Sequence, residues 1–242
     1  MYNMSAQPLD SIVLSDIGQN PRAIHKDVFG RNPTIGTTTE DVWWNGGTLV
    51  WPTTAAVISV TGGEDDDIGG TGIRSVDIHG LDENYNEIEE NLILTGTTPA
   101  TTTLEFLRVN LCHATTWGTG GQASADIEGS IGGDIQFNIA QGRNQTAKSQ
   151  FTIPAGKTAN IRSYYAGSAG NKNVVCSFLY RLVNEEGFFL IRELQLRDTY
   201  VDIPIKYGPL PEKTDIKITG SADSGTANLT AGCVFDIFYT TP

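Results

Sequence analysis

The residues of this chain best suited to acid–base, nucleophilic or metal chemistry are three histidines and three cysteines. Their spacing argues against most of that chemistry. His113 directly follows Cys112, so on an extended strand the imidazole and the thiol point to opposite faces and cannot pair as base and nucleophile. His79 stands apart, before Gly80 at the end of an alternating run. Cys112, Cys176 and Cys233 are far apart, and each lies in or beside an apolar run, which reads as buried reduced thiols. No G-x-S-x-G, H-E-x-x-H or C-x-x-C occurs, and no pair of carboxylates stands out for glycoside hydrolysis. The expectation is a protein that is not an enzyme, with no catalytic, cofactor or metal site.

Three other stretches imitate known sites and then depart from them. Gly156-Lys157-Thr158 has the end of a phosphate loop, but position 151 is Phe where that loop needs Gly. The following Ala159–Tyr165 alternates like a strand instead of opening a helix, so the segment reads as a hairpin turn with Gly156 at positive φ. Glu64-Asp65-Asp66-Asp67, between glycine pairs, could offer oxygens to Ca²⁺, yet such runs are mostly solvated loop tips. Asp82-Glu83-Asn84-Tyr85-Asn86 matches the start of an EF-hand loop. Glu87 then replaces the required Gly and Ile93 the required Glu, which excludes it. The aromatic patch Trp43-Trp44, with Trp51, could stack on sugars, although tryptophans in small β domains are more often core or interface residues. Trp43 and Trp44 would face opposite sides of a strand, one inward and one outward.

The elements that must position these residues are strands. Val76 and Ile78 alternate, turn formers fill 82–86, and Ile88, Leu92 and Leu94 share a face, which predicts an antiparallel hairpin over 73–95. Strands are also expected at 55–60, 104–111, around Ile127, and at 135–139 and 159–165. Further candidates are 174–182, 188–196, 201–205, 215–219 and 233–239, the last with Cys233, Phe235, Ile237 and Tyr239 on one face. No stretch of 40–130 carries a 3.6-residue stripe. Residues 1–36 hold Pro8, Pro21 and Pro33 and few periodic apolar positions, so they read as an extended N-terminal arm that could be deleted without unfolding the protein. The expected fold is all-β, with antiparallel β-sandwich or jelly-roll modules at 37–132 and 133–242, divided at Gly129–Gly133.

Composition supports the same class. The 242 residues carry 16 Lys and Arg against 28 Asp and Glu, a net charge of −12, and 27 glycines. Low charge with scattered β-formers argues against disorder, and the acidity argues against a nucleic-acid partner. Met1–Asn20 contains neither a basic start nor a long apolar run, and no window approaches the ~18 apolar residues of a membrane helix. Synthesis in a cytoplasm without standard export, and no membrane partner, are the expectations. Charge is unevenly placed: Arg22, His25, Lys26 and Arg31 cluster near the start, while acids gather at 64–67 and 82–90.

Six segments in order resemble the β-rich virion structural proteins of tailed bacteriophages, especially marine and cyanobacterial phages. They are Gly30-Arg31-Asn32-Pro33, the hairpin 72–96 with its Gly80-Leu81-Asp82 corner, 97–110 (TTPATTTLEFLRVN), Gln145-Thr146, 151–158 (FTIPAGKT) and Pro211–Ile216 (PEKTDI). The resemblance implies a non-enzymatic capsid decoration or cement protein on the virion exterior, trimeric, cofactor-free, and bound to the major capsid protein. Expected contact residues are Arg22, His25, Lys26, Phe29, Arg31, Trp43 and Trp44. A tail or neck component, or a carbohydrate-binding β module, is the alternative.

Overall fold

The computed structural model describes residues 23–240, and every regular element among them is a β-strand. In chain order these are β1 (Ala23–Ile35), β2 (Glu40–Asp41), β3 (Ser59–Thr61), β4 (Ile73–Leu81), β5 (Glu87–Ile93) and β6 (Ala100–Thr101). Next come β7 (Arg108–Trp117), β8 (Ile127–Ile131), β9 (Asp134–Ile139), β10 (Phe151–Thr152) and β11 (Lys157–Ala169). The chain closes with β12 (Val174–Arg181), β13 (Phe189–Leu196), β14 (Tyr200–Leu210), β15 (Asp215–Ala222) and β16 (Ala227–Tyr239). All pairings between strands are antiparallel.

Four sheets build two apolar cores. The larger core takes the inward faces of the sheet β1-β16-β11-β14 and of the sheet β10-β15-β12-β13, in which β2 also pairs with β15. On β16 the alternation read from sequence is realised for Cys233, Phe235 and Ile237, which are buried, while Tyr239 at the strand's end is 55% exposed. Tyr164 of β11 stacks on Phe178 of β12 at 5.1 Å and Phe151 of β10 lies 5.0 Å from Phe235, so aromatic contacts cross between the two sheets. The smaller core lies under the sheets β6-β3-β8-β9 and β5-β4-β7. Here the predicted 73–95 hairpin is present, with Val76 opposite Leu92 and Ile78 opposite Glu90, and Val76 and Ile78 are fully buried.

The cores divide the chain differently from the expected 37–132 and 133–242. Gly132 and Gly133, both at positive φ, form the tight turn of the β8–β9 hairpin, so β9 packs into the smaller core with Phe137 and Ile139. Likewise, Gly156 does sit at φ +70°, but the strands it joins, β10 and β11, pair with other partners and not with each other.

Of the segment read as an arm, residues 23–35 form β1, aligned along β16 from Ala23–Phe238 to Ile35–Ala227. Val28 and Ile35 enter the larger core. The strand also passes close to the chain that follows β2: a Cβ at Gly30 would fall 1.9 Å from the Val42 carbonyl oxygen, which only glycine avoids. Proline at position 33 is tolerated because β1 is an edge strand. Contrary to the reading from sequence, deletion of residues 1–36 is therefore expected to destabilise the protein. Loss of two buried aliphatic side chains and of a strand that covers β16 should lower the melting temperature by roughly 10 °C or more. Circular-dichroism melting of the truncated chain checks this, and an unchanged midpoint would show β1 to be dispensable.

Candidate functional site

The two cores meet across polar residues. Asp215, at the start of β15, is buried and accepts hydrogen bonds from Arg108 Nε at 3.0 Å, Arg181 Nη2 at 2.6 Å and Thr152 Oγ1 at 2.6 Å. Arg108 comes from β7 of the smaller core and also donates to the Pro52 carbonyl at 2.7 Å. Trp51 lies against both guanidiniums, 5.1 Å from that of Arg108 and 5.4 Å from that of Arg181, while Tyr85 approaches Arg108 at 5.7 Å. Beside this cluster, Asn110 of β7 exchanges two hydrogen bonds with the backbone of Thr152 in β10. Lys148 is buried at the same junction and donates to the carbonyls of Val109 and Gln136 at 2.7 and 2.8 Å. Burial, and then the Arg108 charge, push its ammonium down to about 7, against the opposing pull of Asp41 and Asp215.

The residues expected to make contacts are scattered by the fold into different environments. Arg22 lies outside the described residues. His25 and Lys26 are exposed on β1, with His25 Nδ1 3.2 Å from Asp236. Trp43 is 3% exposed and belongs to the interior. Trp44 is partly exposed and carries the Arg31 guanidinium 5.4 Å from its ring centre. Phe29, Arg31 and Trp44 come together in the wall of a cleft of about 490 Å³, completed by Arg143 and Asn144 from the loop after β9. Lys26 and Phe29 also border a second cleft of about 420 Å³, between β1 and the β4–β5 hairpin. Of the tryptophans weighed as sugar platforms, Trp43 is buried in the interior, and Trp44 and Trp51 each lie against arginine guanidiniums.

The acidic loop is not a free cluster either. Asp66 is fully buried and its two oxygens accept from the amides of Gly63, Ile73, Ser124 and Ala125 and from the Ser124 hydroxyl. A carboxylate so engaged ties loops together and has little capacity left for a cation. The three cysteines are buried and unpaired. Burial raises every thiol, that of Cys176 to about 12, so none supplies a thiolate near neutral pH.

An apolar surface that the sequence did not single out lies on β13 and β14. Each is the last strand of its sheet, leaving one backbone edge unpaired. Phe189 is 46%, Leu190 56% and Tyr207 36% exposed, while Tyr200, 65% exposed, lies at the other end of β14 beside Tyr165. Tyr180 meets Phe189 at 5.6 Å and Tyr207 at 5.9 Å in tilted ring contacts, which joins the two strands into one aromatic rim. The signal available beforehand was the run Phe188-Phe189-Leu190-Ile191, four apolar residues without alternation, a pattern that wants cover on both faces of its strand.

No family model matches the chain, and the comparison with curated proteins returns no match. Among solved structures, a similarity is found to infectious bursal disease virus, Gx strain, at 9% identity and a TM-score of 0.23, over 90% of this chain and 73% of that one. Likeness of that degree is too small to bear on fold or role.

Two outcomes test the junction. Asp215→Ala strands the buried Arg108 guanidinium and the half-buried one of Arg181 and should cost about 3–5 kcal/mol in urea unfolding; a loss below about 1 kcal/mol would show the pairs to be incidental. For Lys148, the folded ammonium titrates near 7 and the unfolded one near ~10.4, so between these values the unfolded chain holds a proton that the folded chain lacks. Stability contributed by this group therefore rises with pH. From pH 7 to 8.5 the wild type should gain about 1–2 kcal/mol relative to Lys148→Met, and parallel pH profiles would refute the assignment.

Proposed function

We propose that this chain is a non-enzymatic virion structural protein of a tailed phage, which decorates the capsid exterior and stabilises the shell by bridging major capsid protein subunits. In this reading its two cores are sandwich or jelly-roll modules, and the protein acts as a homotrimer. The ordered segments that resemble phage virion proteins support it. The single observation that carries it is the aromatic and aliphatic rim on β13 and β14. Soluble proteins cover or charge such edges, because an unpaired apolar strand templates association with another chain. An assembly protein instead uses them as anchors, and aromatic side chains supply most of the energy of such contacts.

The rim is assigned to a neighbouring copy of the same chain. It brings Phe189 of one edge strand and Tyr207 of the next together through Tyr180, and a second copy can bury these apolar side chains against its own. The basic stretch of β1, with Lys26 and Arg31 beside Phe29 and Trp44, is then left for the capsid protein. The Arg31 guanidinium, held 5.4 Å over the Trp44 ring, lines the cleft there.

Copy number in purified particles tests the role. Hundreds of copies per virion are expected of a shell component, whereas a handful would move the protein to the tail and none would end the proposal. Solution mass tests the rim: the wild type should be a trimer, and Phe189→Glu with Leu190→Glu should reduce the mass threefold with an unchanged circular-dichroism spectrum. A monomeric wild type, or a variant that stays trimeric, would remove the rim from the interface.

A further inference from the structure

The smaller core carries on its outer surface a grouping that the reading above does not use. Asp77 and His79 are two residues apart on β4 and share the face opposite the buried Val76 and Ile78. On β7, His113 stands directly across from Asp77, on the face opposite the buried Cys112. One ligating atom from each of Asp77, His79 and His113 lies within 4.8 Å of the others, and all three residues are partly buried. The imidazoles are nearly parallel, with centres 5.1 Å apart and planes 10° from each other.

Two details point to a ligand. Nε2 of His79 and Nδ1 of His113 are both buried and lack a hydrogen-bond partner. An unsatisfied buried polar atom is costly, and two on adjacent side chains call for a common explanation. Supporting carboxylate and amide groups stand behind the cluster: Glu89, opposite His79 on β5, places Oε2 3.3 Å from His79 Nδ1, and Asn91, opposite Asp77, donates to Asp77 Oδ1 at 2.6 Å. A carboxylate behind one imidazole nitrogen holds the proton there and frees the other nitrogen's lone pair, which is how metal-ligating histidines are oriented. The β4–β7 register also shifts on both sides of this segment, between Ser75 and Val76 and between His79 and Gly80. Bulges of this kind re-aim side chains beside functional sites.

We propose that Asp77, His79 and His113 bind a borderline divalent transition-metal ion, with zinc as its representative, held by Glu89 in the outer shell. Two imidazole nitrogens and one carboxylate oxygen suit such an ion, while Mg²⁺ and Ca²⁺ prefer oxygen alone. Ligands at ~2.1 Å in tetrahedral geometry stand ~3.4 Å apart, so the side chains close in by about 1 Å on binding. A water completes the shell, reached from the side of His79 and Glu89, which border the 420 Å³ cleft. The bound ion would clamp β4 to β7 and raise stability by mass action.

The test uses the full chain, untagged and stripped by chelator, titrated with Zn²⁺, Co²⁺ and Ni²⁺ by calorimetry. One saturable site per chain is expected, together with a rise in melting temperature. His79→Gln or His113→Gln should weaken binding by more than about 100-fold and Glu89→Gln by about 10-fold, with His25→Gln unchanged. Should a ligand variant fail to fold, histidine ring resonances of the wild type decide: those of His79 and His113 should move with metal, and those of His25 should not. Saturable binding of none of the three ions, binding undiminished in the double His variant, or movement of His25 alone overturns the site.

Discussion

The Asp215 carboxylate is the point on which the two halves of this protein turn. Arg108 reaches it from the smaller core and Arg181 and Thr152 from strands of the larger one. A buried ion pair contributes little net stability unless its geometry is good and its remaining polar atoms are satisfied, because both charges lose their water. Here that condition is met. Asp215 collects donors from three residues, and Arg108 spends its other hydrogens on the carbonyls of Pro52 and Leu107. Directional bonds of this kind set an orientation that apolar contact alone would leave free to slide.

Lys148 and the Asn110–Thr152 pair extend the same logic along the junction. Because the cores meet through polar groups, each keeps a complete apolar interior of its own, and the clefts bordered by β1 have walls drawn from both. Among the apolar side chains left uncovered, Phe189, Leu190 and Tyr207 lie on β13 and β14, where the sheets of the larger core end. On the outer face of β4 and β7, Asp77, His79 and His113 gather.

Local pattern carried a large part of the fold. The alternation of Val76 and Ile78 against the return strand, and of Cys233, Phe235 and Ile237, announced strands and their buried faces, and Gly156 announced its turn. Pairings over long sequence distances were hidden. Nothing near Ala23 says that Phe238 lies beside it, so a polar, proline-bearing segment looked like an arm when its second half is a sheet strand. Asp66 looked like part of a solvated acidic tip, because its donors at Ser124 and Ala125 lie 58 and 59 residues away. His79 and His113 were read apart for the same reason: 34 positions separate them in sequence, and one β-ladder brings them together.

The amino-acid sequence by itself determined that this is a strand protein with closed, thiol-bearing interiors and an acidic exterior, since period-two alternation and turn residues act over a few neighbours. Tertiary structure alone decided which strands end a sheet, which of Trp43 and Trp44 faces inward, and which polar residues meet. Those outcomes depend on pairing between segments that can lie more than two hundred residues apart, where burial and hydrogen-bond satisfaction are settled by the whole fold at once.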